Sequence, residues 1–180
     1  ENSEFYGINS GILVQKNSTA IIKNSTINTS SKGSNAVFAT GTKAKITISD
    51  STIKTTGSSG SRGLDATYGG SIIGNNLKIS TLGQSSATLA TDRGEGNIHI
   101  SNSTLKTNGG GSPLIYSTGN ISVNKTTGIA NNSQIAVVEG KNSASVRSST
   151  LYANGSGNRN HVDDAGIMIY QSMSGDASSG

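Results

Sequence analysis

The chain has 180 residues, a length suited to one domain, with no cysteine, 31% hydrophobic and 4% aromatic residues, and a formal charge of +4. Without cysteine there are no disulfides and no thiolate metal or redox motif, and without an apolar run of about 18 residues there is no membrane-spanning helix. Gly, Ser, Thr and Asn make up about half of the chain, far above ordinary usage, which excludes a helical protein because all four are poor in helix interiors.

Taken from the N-terminus, Glu1 to Ile8 reads as part of an end cap, and after it a unit repeats. Each unit opens with a strand, whose expected inward pairs are Ile12/Val14, Ala36/Phe38, Leu64/Ala66, Leu89/Thr91, Leu114/Tyr116, Ile135/Val137 and Ile167/Ile169. Glycine follows five of these seven pairs, at Gly41, Gly69, Gly94, Gly119 and Gly140, as a sharp corner with positive φ requires. A second strand then carries two inward columns. One is Ala20, Ile46, Ile72, Ile98, Ile121 and Ala144; the other is Ile22, Ile48, Gly74, Ile100, Val123 and Val146. A corner position follows, occupied by Asn24, Asp50, Asn76, Asn102, Lys125 and Ser148. Its first three steps are 26 residues each and the next two are 23. Asn or Asp holds four of these six places, so stacked amides are expected to bond one another there. A short third strand has Ile27, Ile53, Ile79, Leu105, Gly128 and Leu151 inward, and a variable loop closes the unit.

No single unit can bury its few aliphatic residues, but units stacked one on another make a continuous core. Burial of each Ile or Leu contributes about 1.5–3 kcal/mol. The expectation is therefore a parallel β-solenoid of about seven coils with an Asn ladder. At about 4.8 Å per coil it makes a rod roughly 30 Å long. Residues 1–180 read as a single β-helix segment of a longer chain, with open ends that need a cap or a neighbour.

These ladders resemble the right-handed parallel β-helix of the pectate-lyase-like superfamily, from Gly11 to about Ser172. The resemblance implies a right-handed coil and a secreted or cell-surface protein, bacterial in type, that meets polysaccharide.

Several outward positions are candidates for chemistry. The column Leu13, Val37, Asp65, Ala90, Ile115, Ala136 and Met168 is apolar for a solvent face, and suits either a covering segment or a docking surface for a polymer or a second copy. Self-association through this column or through the solenoid ends follows as an expectation. Beside it, Asp65, Tyr68, Asp92, Arg93 and Glu95 fall in consecutive coils, with Glu139 two coils beyond Arg93. These six are the expected ligand-binding residues. Asp65 and Asp92 are the candidate ligands for Ca²⁺, which takes six to eight oxygens, and Arg93 can grip a uronate carboxylate bidentately. The competing reading is an ordinary surface ion pair at Arg93. Asp163 and Asp164 follow the longest loop, Ala153 to Val162, which carries Arg159 and His161; it reads either as a functional protrusion or as a solvated loop. His99 lies at an outward strand position and reads as simply exposed.

Enzyme signatures are missing. Asp163-Asp164 is the sole Asp pair and no His or Arg motif accompanies it, nor is there a Gly-x-Ser-x-Gly elbow, phosphate loop or His-Glu-x-x-His. The Asn-x-Ser/Thr sequons at Asn17, Asn24, Asn102 and Asn120 read as by-products of the repeat. Thr29, Thr55, Thr81 and Thr107 read as inward or corner-lining rather than as an ice-binding face. The 14 Lys and Arg residues are scattered without a block, and with two Phe and no Trp a nucleic-acid interface is not expected; a mild positive field suits acidic polysaccharide. The functional expectation is a non-catalytic surface or adhesion module that binds polysaccharide. The alternatives are a structural stalk, or the non-catalytic part of a polysaccharide lyase or glycoside hydrolase.

Overall fold

The structure, a computed structural model, describes residues 9–155 and 165–171. The expected cap at Glu1–Ile8 and the loop residues Arg159, His161, Asp163 and Asp164 lie outside them.

Seventeen strands and no helix make up the described residues. Coil by coil they are β1 (Ile12–Val14), β2 (Thr19–Lys23) and β3 (Thr26–Thr29), then β4 (Val37–Thr40) and β5 (Lys45–Thr55), then β6 (Leu64–Thr67) and β7 (Ser71–Thr81). There follow β8 (Leu89–Ala90), β9 (Asn97–Ser101) and β10 (Thr104–Thr107); β11 (Ile115–Ser117), β12 (Asn120–Asn124) and β13 (Thr127–Ala130); β14 (Ala136–Glu139), β15 (Ser143–Arg147) and β16 (Thr150–Ala153); and finally β17 (Ile167–Tyr170). In β5 and β7 the second and third strands run together through the corner. All pairings are parallel, each strand bonding its counterpart one coil away. The chain is a parallel β-solenoid. The first strands form a seven-stranded sheet, and about five turns are complete, fewer than the seven coils expected.

The inward columns of the second and third strands stand as the repeat predicts. Ala20, Ile46, Ile72, Ile98, Ile121 and Ala144 are register partners in turn, as are Ile22 through Val146 and Ile27 through Leu151. Ile46, Ile48, Ile53, Ile72, Ile98 and Ile100 are fully buried in one core. Two glycines in these columns make room for neighbours. A side chain at Gly74 would meet Leu77 Cδ1 at 2.6 Å, and one at Gly128 would meet Leu114 Cδ1 at 2.8 Å. Leu77 and Leu114 therefore supply the apolar volume that the glycines leave out.

The first strand departs from the expected register in three coils. Its inward column is Ile12, Val37, Leu64, Leu89, Ile115, Ala136 and Ile167. Val37, Ile115 and Ala136, expected to face outward, belong to the core, and Phe38, Tyr116 and Val137 take the outward places instead. The same one-residue slip turns Ala39, Ser117 and Val138 inward. It moves Thr40, Thr118 and Glu139 into the outward column of Thr67 and Asp92. The outward apolar column is also no open surface: Phe38 is 3% and Val137 4% exposed.

The corners hold a further correction. The six positions from Asn24 to Ser148 all have positive φ, between 47° and 54°, a left-handed conformation that Asn and Asp tolerate best. Their side chains point to solvent, and amide bonding among them is interrupted: Asn76 Nδ2 donates to Asp50 Oδ1 at 2.8 Å, but Asn102 Nδ2 donates to Asn75 instead. The longer ladder is built from the next residue. Ser25, Ser51, Ser103, Thr126 and Ser149 each donate a hydroxyl proton to the carbonyl two residues back, at 2.7–3.0 Å. The Ser51, Ser103, Thr126 and Ser149 hydroxyls each also accept a backbone N–H from the preceding coil. Ser61, Ser86 and Ser112 repeat the device at the third corner, where Asn108, Asn131 and Asn154 form the amide ladder. Among the five expected glycine corners, Gly41, Gly69, Gly94 and Gly140 have positive φ. Gly119 does not; there the absent side chain admits the Gly96 backbone, whose oxygen would lie 2.3 Å from a Cβ. Thr55, Thr81 and Thr107 are buried as expected.

Candidate functional site

The outer face of the first sheet carries the residues with chemistry. Asn35 precedes β4, Arg62 precedes β6, Asp65 stands on β6, Asp92 and Arg93 follow β8, Tyr116 stands on β11 and Glu139 ends β14. Because the strands are parallel and in register, residues roughly 25 apart in sequence become neighbours about 4.8 Å apart.

Two carboxylates and one guanidinium share the centre. Asn35 Nδ2 donates to Asp65 Oδ2 at 2.8 Å, and Asn35 Oδ1 accepts the Arg62 N–H at 3.0 Å. Asp92 N–H reaches Asp65 Oδ1 at 3.4 Å. Arg62 Nη2 lies 2.6 Å from Asp92 Oδ2, and its Nη1 donates to Gly60 O at 3.1 Å. The Arg62–Asp92 contact is ionic and close but lacks hydrogen-bond alignment, which leaves Asp92 Oδ2 without a directed donor. Asp65 is 1% exposed. Burial pushes its carboxyl well above the usual range, the Asp92 carboxylate adds to this, and Arg62 opposes it. Removing two carboxylates from water against one cation favours leaving a proton on the deeper one.

A second cluster lies beyond. Tyr116 Oη donates to Glu139 Oε2 at 2.6 Å and Tyr170 Oη to the same oxygen at 3.3 Å. Burial, then the bond to Glu139, raises the Tyr116 phenol far above its ordinary value, so it remains a donor. Glu139 is 1% exposed and its Oε1 has no hydrogen-bond partner.

Between these clusters a cleft of about 290 Å³ opens, lined by Arg62, Asp92, Arg93, Tyr116, Ser85 and Pro113 among others. Of the six residues expected from the sequence, Asp92 and Arg93 line it. Asp65 lies behind Asp92, and Glu139 is reached through Tyr116. Tyr68 and Glu95 do not line it: the Tyr68 ring lies against Gly94, where a Cβ would meet Cδ1 at 2.5 Å, and Glu95 is exposed, 3.9 Å from Lys141. The cation paired with Asp92 is Arg62, which sequence reasoning misses because it lies in the loop before its strand. Asn35 and Tyr116 are missed with it. Tyr116 reads as inward from the sequence, and Asn35 carries no signal beyond preceding an apolar strand. Arg62 Nη2 also stands where a cation held by Asp92 would sit, and among the described residues no group of three His, Cys, Asp or Glu is placed to hold a metal ion.

Elsewhere His99 is exposed, with Nδ1 bonded to Ser122 Oγ on the outer face of the second strands. No helix among the described residues is long and apolar enough to cross a membrane. Comparison with protein families, curated proteins and solved structures finds no match to this chain, so the reading of the site rests on its own geometry.

Proposed function

We propose that this chain is a non-catalytic glycan-binding module of a secreted or cell-surface protein, holding a stretch of polysaccharide in the cleft on the outer face of its first sheet. The observation that carries the reading is the cleft lining: two guanidiniums, a carboxylate and a serine hydroxyl beside a tyrosine ring and a proline. A sugar presents vicinal hydroxyls on its edges and C–H groups on its faces. Arg and Asp pair with hydroxyls or a uronate carboxylate through charge-assisted bonds, and an aromatic ring gives apolar contact with a polar tip. A concave site with a few convergent polar groups is the ordinary form of a small-ligand subsite.

The same geometry argues against catalysis. General acid–base work needs a carboxyl within reach of the substrate proton. Asp65 is sealed behind Asp92, Asp92 is engaged by Arg62, and Glu139 is engaged by two phenols. Calcium is not needed for this reading, because Arg62 supplies the positive charge beside Asp92.

A glycan array and affinity electrophoresis, each with and without chelator, test the proposal. Retention of a defined glycan, insensitive to chelator and weakened about tenfold by Arg93→Asn, is the expected result; Asn is chosen because residue 93 has φ 52°. Failure to retain any glycan under either condition would leave the rod a structural spacer. Release of unsaturated ends or reducing sugar from polygalacturonate would make it an enzyme.

A further inference from the structure

Lysines that are scattered in the sequence become a stripe in the fold. Lys54, Lys78, Lys106 and Lys125 are 24, 28 and 19 residues apart, and each lies one coil beyond the last. Lys54 is in register with Ser80 and Ser80 with Lys106, while Lys78 pairs with Thr52 on one side and Thr104 on the other. Successive ammonium-bearing positions are therefore one strand spacing apart along the rod. The first three are offset by two residues across it, about 8 Å in all. All four are exposed. Lys54, Lys78 and Lys106, about one Debye length apart at physiological salt, act as one field, and Lys125 stands farther off at the corner. Thr52, Thr104 and Thr127 are exposed among them and offer hydroxyls. Asp50 is the one carboxylate among the described residues on the outer faces of the second and third strands and their shared corner. Asp65, Asp92, Glu95 and Glu139 all belong to the first-sheet side.

We infer that the outer face of the third strands is a docking track for a linear anionic polysaccharide, lying along the rod with its carboxylates over the lysine stripe. The surface is flat and repeats along the rod axis, so it suits a polymer with regularly spaced charge rather than a single anion, which would need cations converging on a pocket. Lysine fits such a polymer because its ammonium is a mobile point charge that does not demand one ligand geometry. The track is on a different flank from the cleft and stands independently of it.

Affinity electrophoresis and calorimetry on the full chain test this, with polygalacturonate, a neutral dextran and duplex DNA as probes at about 20 and about 200 mM NaCl. Polygalacturonate is expected to bind at low salt and dextran not. The triple variant Lys54→Gln/Lys78→Gln/Lys106→Gln should bind polygalacturonate at least about tenfold more weakly. It should also lower the slope of log affinity against log salt by about 2, three contacts at about 0.7 each. The control Lys16→Gln/Lys32→Gln/Lys43→Gln removes equal charge elsewhere and should weaken binding less than about twofold. Equal weakening by the two triples would overturn the track in favour of net charge alone. DNA binding as tight as polygalacturonate would overturn the assignment to polysaccharide. A uronate also fits the cleft, so polygalacturonate binding that Arg93→Asn abolishes and the lysine triple leaves within about twofold would place the polymer in the cleft and overturn the track; failure of the track and failure of the cleft are thus read separately.

Discussion

Gly74 and Leu77 should be energetically coupled, because each is the exception that permits the other. At position 74 neighbouring coils carry Ile48 and Ile100, and at position 77 they carry Ser51 and Ser103. Restoring isoleucine alone, Gly74→Ile, places a Cβ 2.6 Å from Leu77 Cδ1 and 3.1 Å from Ile100 Cγ2; overpacking of this kind costs about 1–3 kcal/mol. Restoring serine alone, Leu77→Ser, removes a side chain that is 1% exposed, at a cost of about 2–5 kcal/mol. About 1 kcal/mol is returned by the hydroxyl bonds that complete the ladder between Ser51 and Ser103. The singles together therefore cost about 2–7 kcal/mol. The double variant fills the cavity and closes the ladder, and should lie within about 1 kcal/mol of the parent, a coupling of at least about 1 kcal/mol. Urea unfolding with unchanged m-values measures it. Strictly additive losses would refute the compensation, and with it the reading of Leu77 as a core residue standing in for a corner serine.

Other outcomes follow from the same structure. Gly83→Ala would set a Cβ 2.0 Å from the Gly57 carbonyl oxygen and should cost more than about 2 kcal/mol, whereas Gly110→Ala meets nothing within 4 Å and should stay within about 0.5 kcal/mol by the same unfolding assay. Ser148 has φ 49°, so Ser148→Asn should raise stability by about 0.5–1 kcal/mol, seen as a higher urea midpoint. Burial and Asp92 hold the Asp65 carboxyl above its ordinary value. The folded state therefore binds that proton more tightly than the unfolded chain, and the Asp65 contribution is complete below the unfolded value near 4. It is lost as pH rises from there through the raised folded value. Thermal melts of the parent minus those of Asp65→Asn should show this fall; a difference that rises with pH would contradict the burial.

The second and third strands were legible because their inward positions alternate with polar ones. The side chains between Ile46, Ile48 and Ile53 include Thr47, Ser49 and Thr52, which mark the outer face without ambiguity. The first strand gave no such marker. Around Ala36-Val37-Phe38-Ala39 and Ile135-Ala136-Val137-Val138 both faces are withdrawn from solvent to a large extent, so apolar residues run continuously. A continuous run fits either of two registers, and a one-residue slip reverses every side chain. That slip hid Tyr116 and so part of the cleft. Arg62 and Asn35 were illegible for another reason: they lie in loops, where no periodicity assigns a face. Asp65 and Asp92 were correctly placed side by side because the coils that carry them keep the expected register. The serine ladder was present in the aligned copies, but the Asn and Asp at the preceding position are the more conspicuous signal, and their role is backbone conformation at an exposed corner.

Residues one coil apart must stand directly over one another for the core, the cleft and the lysine stripe alike, and the absence of cysteine makes this measurable by introduced thiols. Lys78 and Thr104 are exposed register partners, with Cα atoms about 4.8 Å apart, inside the range a disulfide spans. In Lys78→Cys/Thr104→Cys, diamide should close an intramolecular bond in the folded chain far faster than in Lys78→Cys/Lys16→Cys. Equal rates in the two variants would contradict the stacking on which every site here depends.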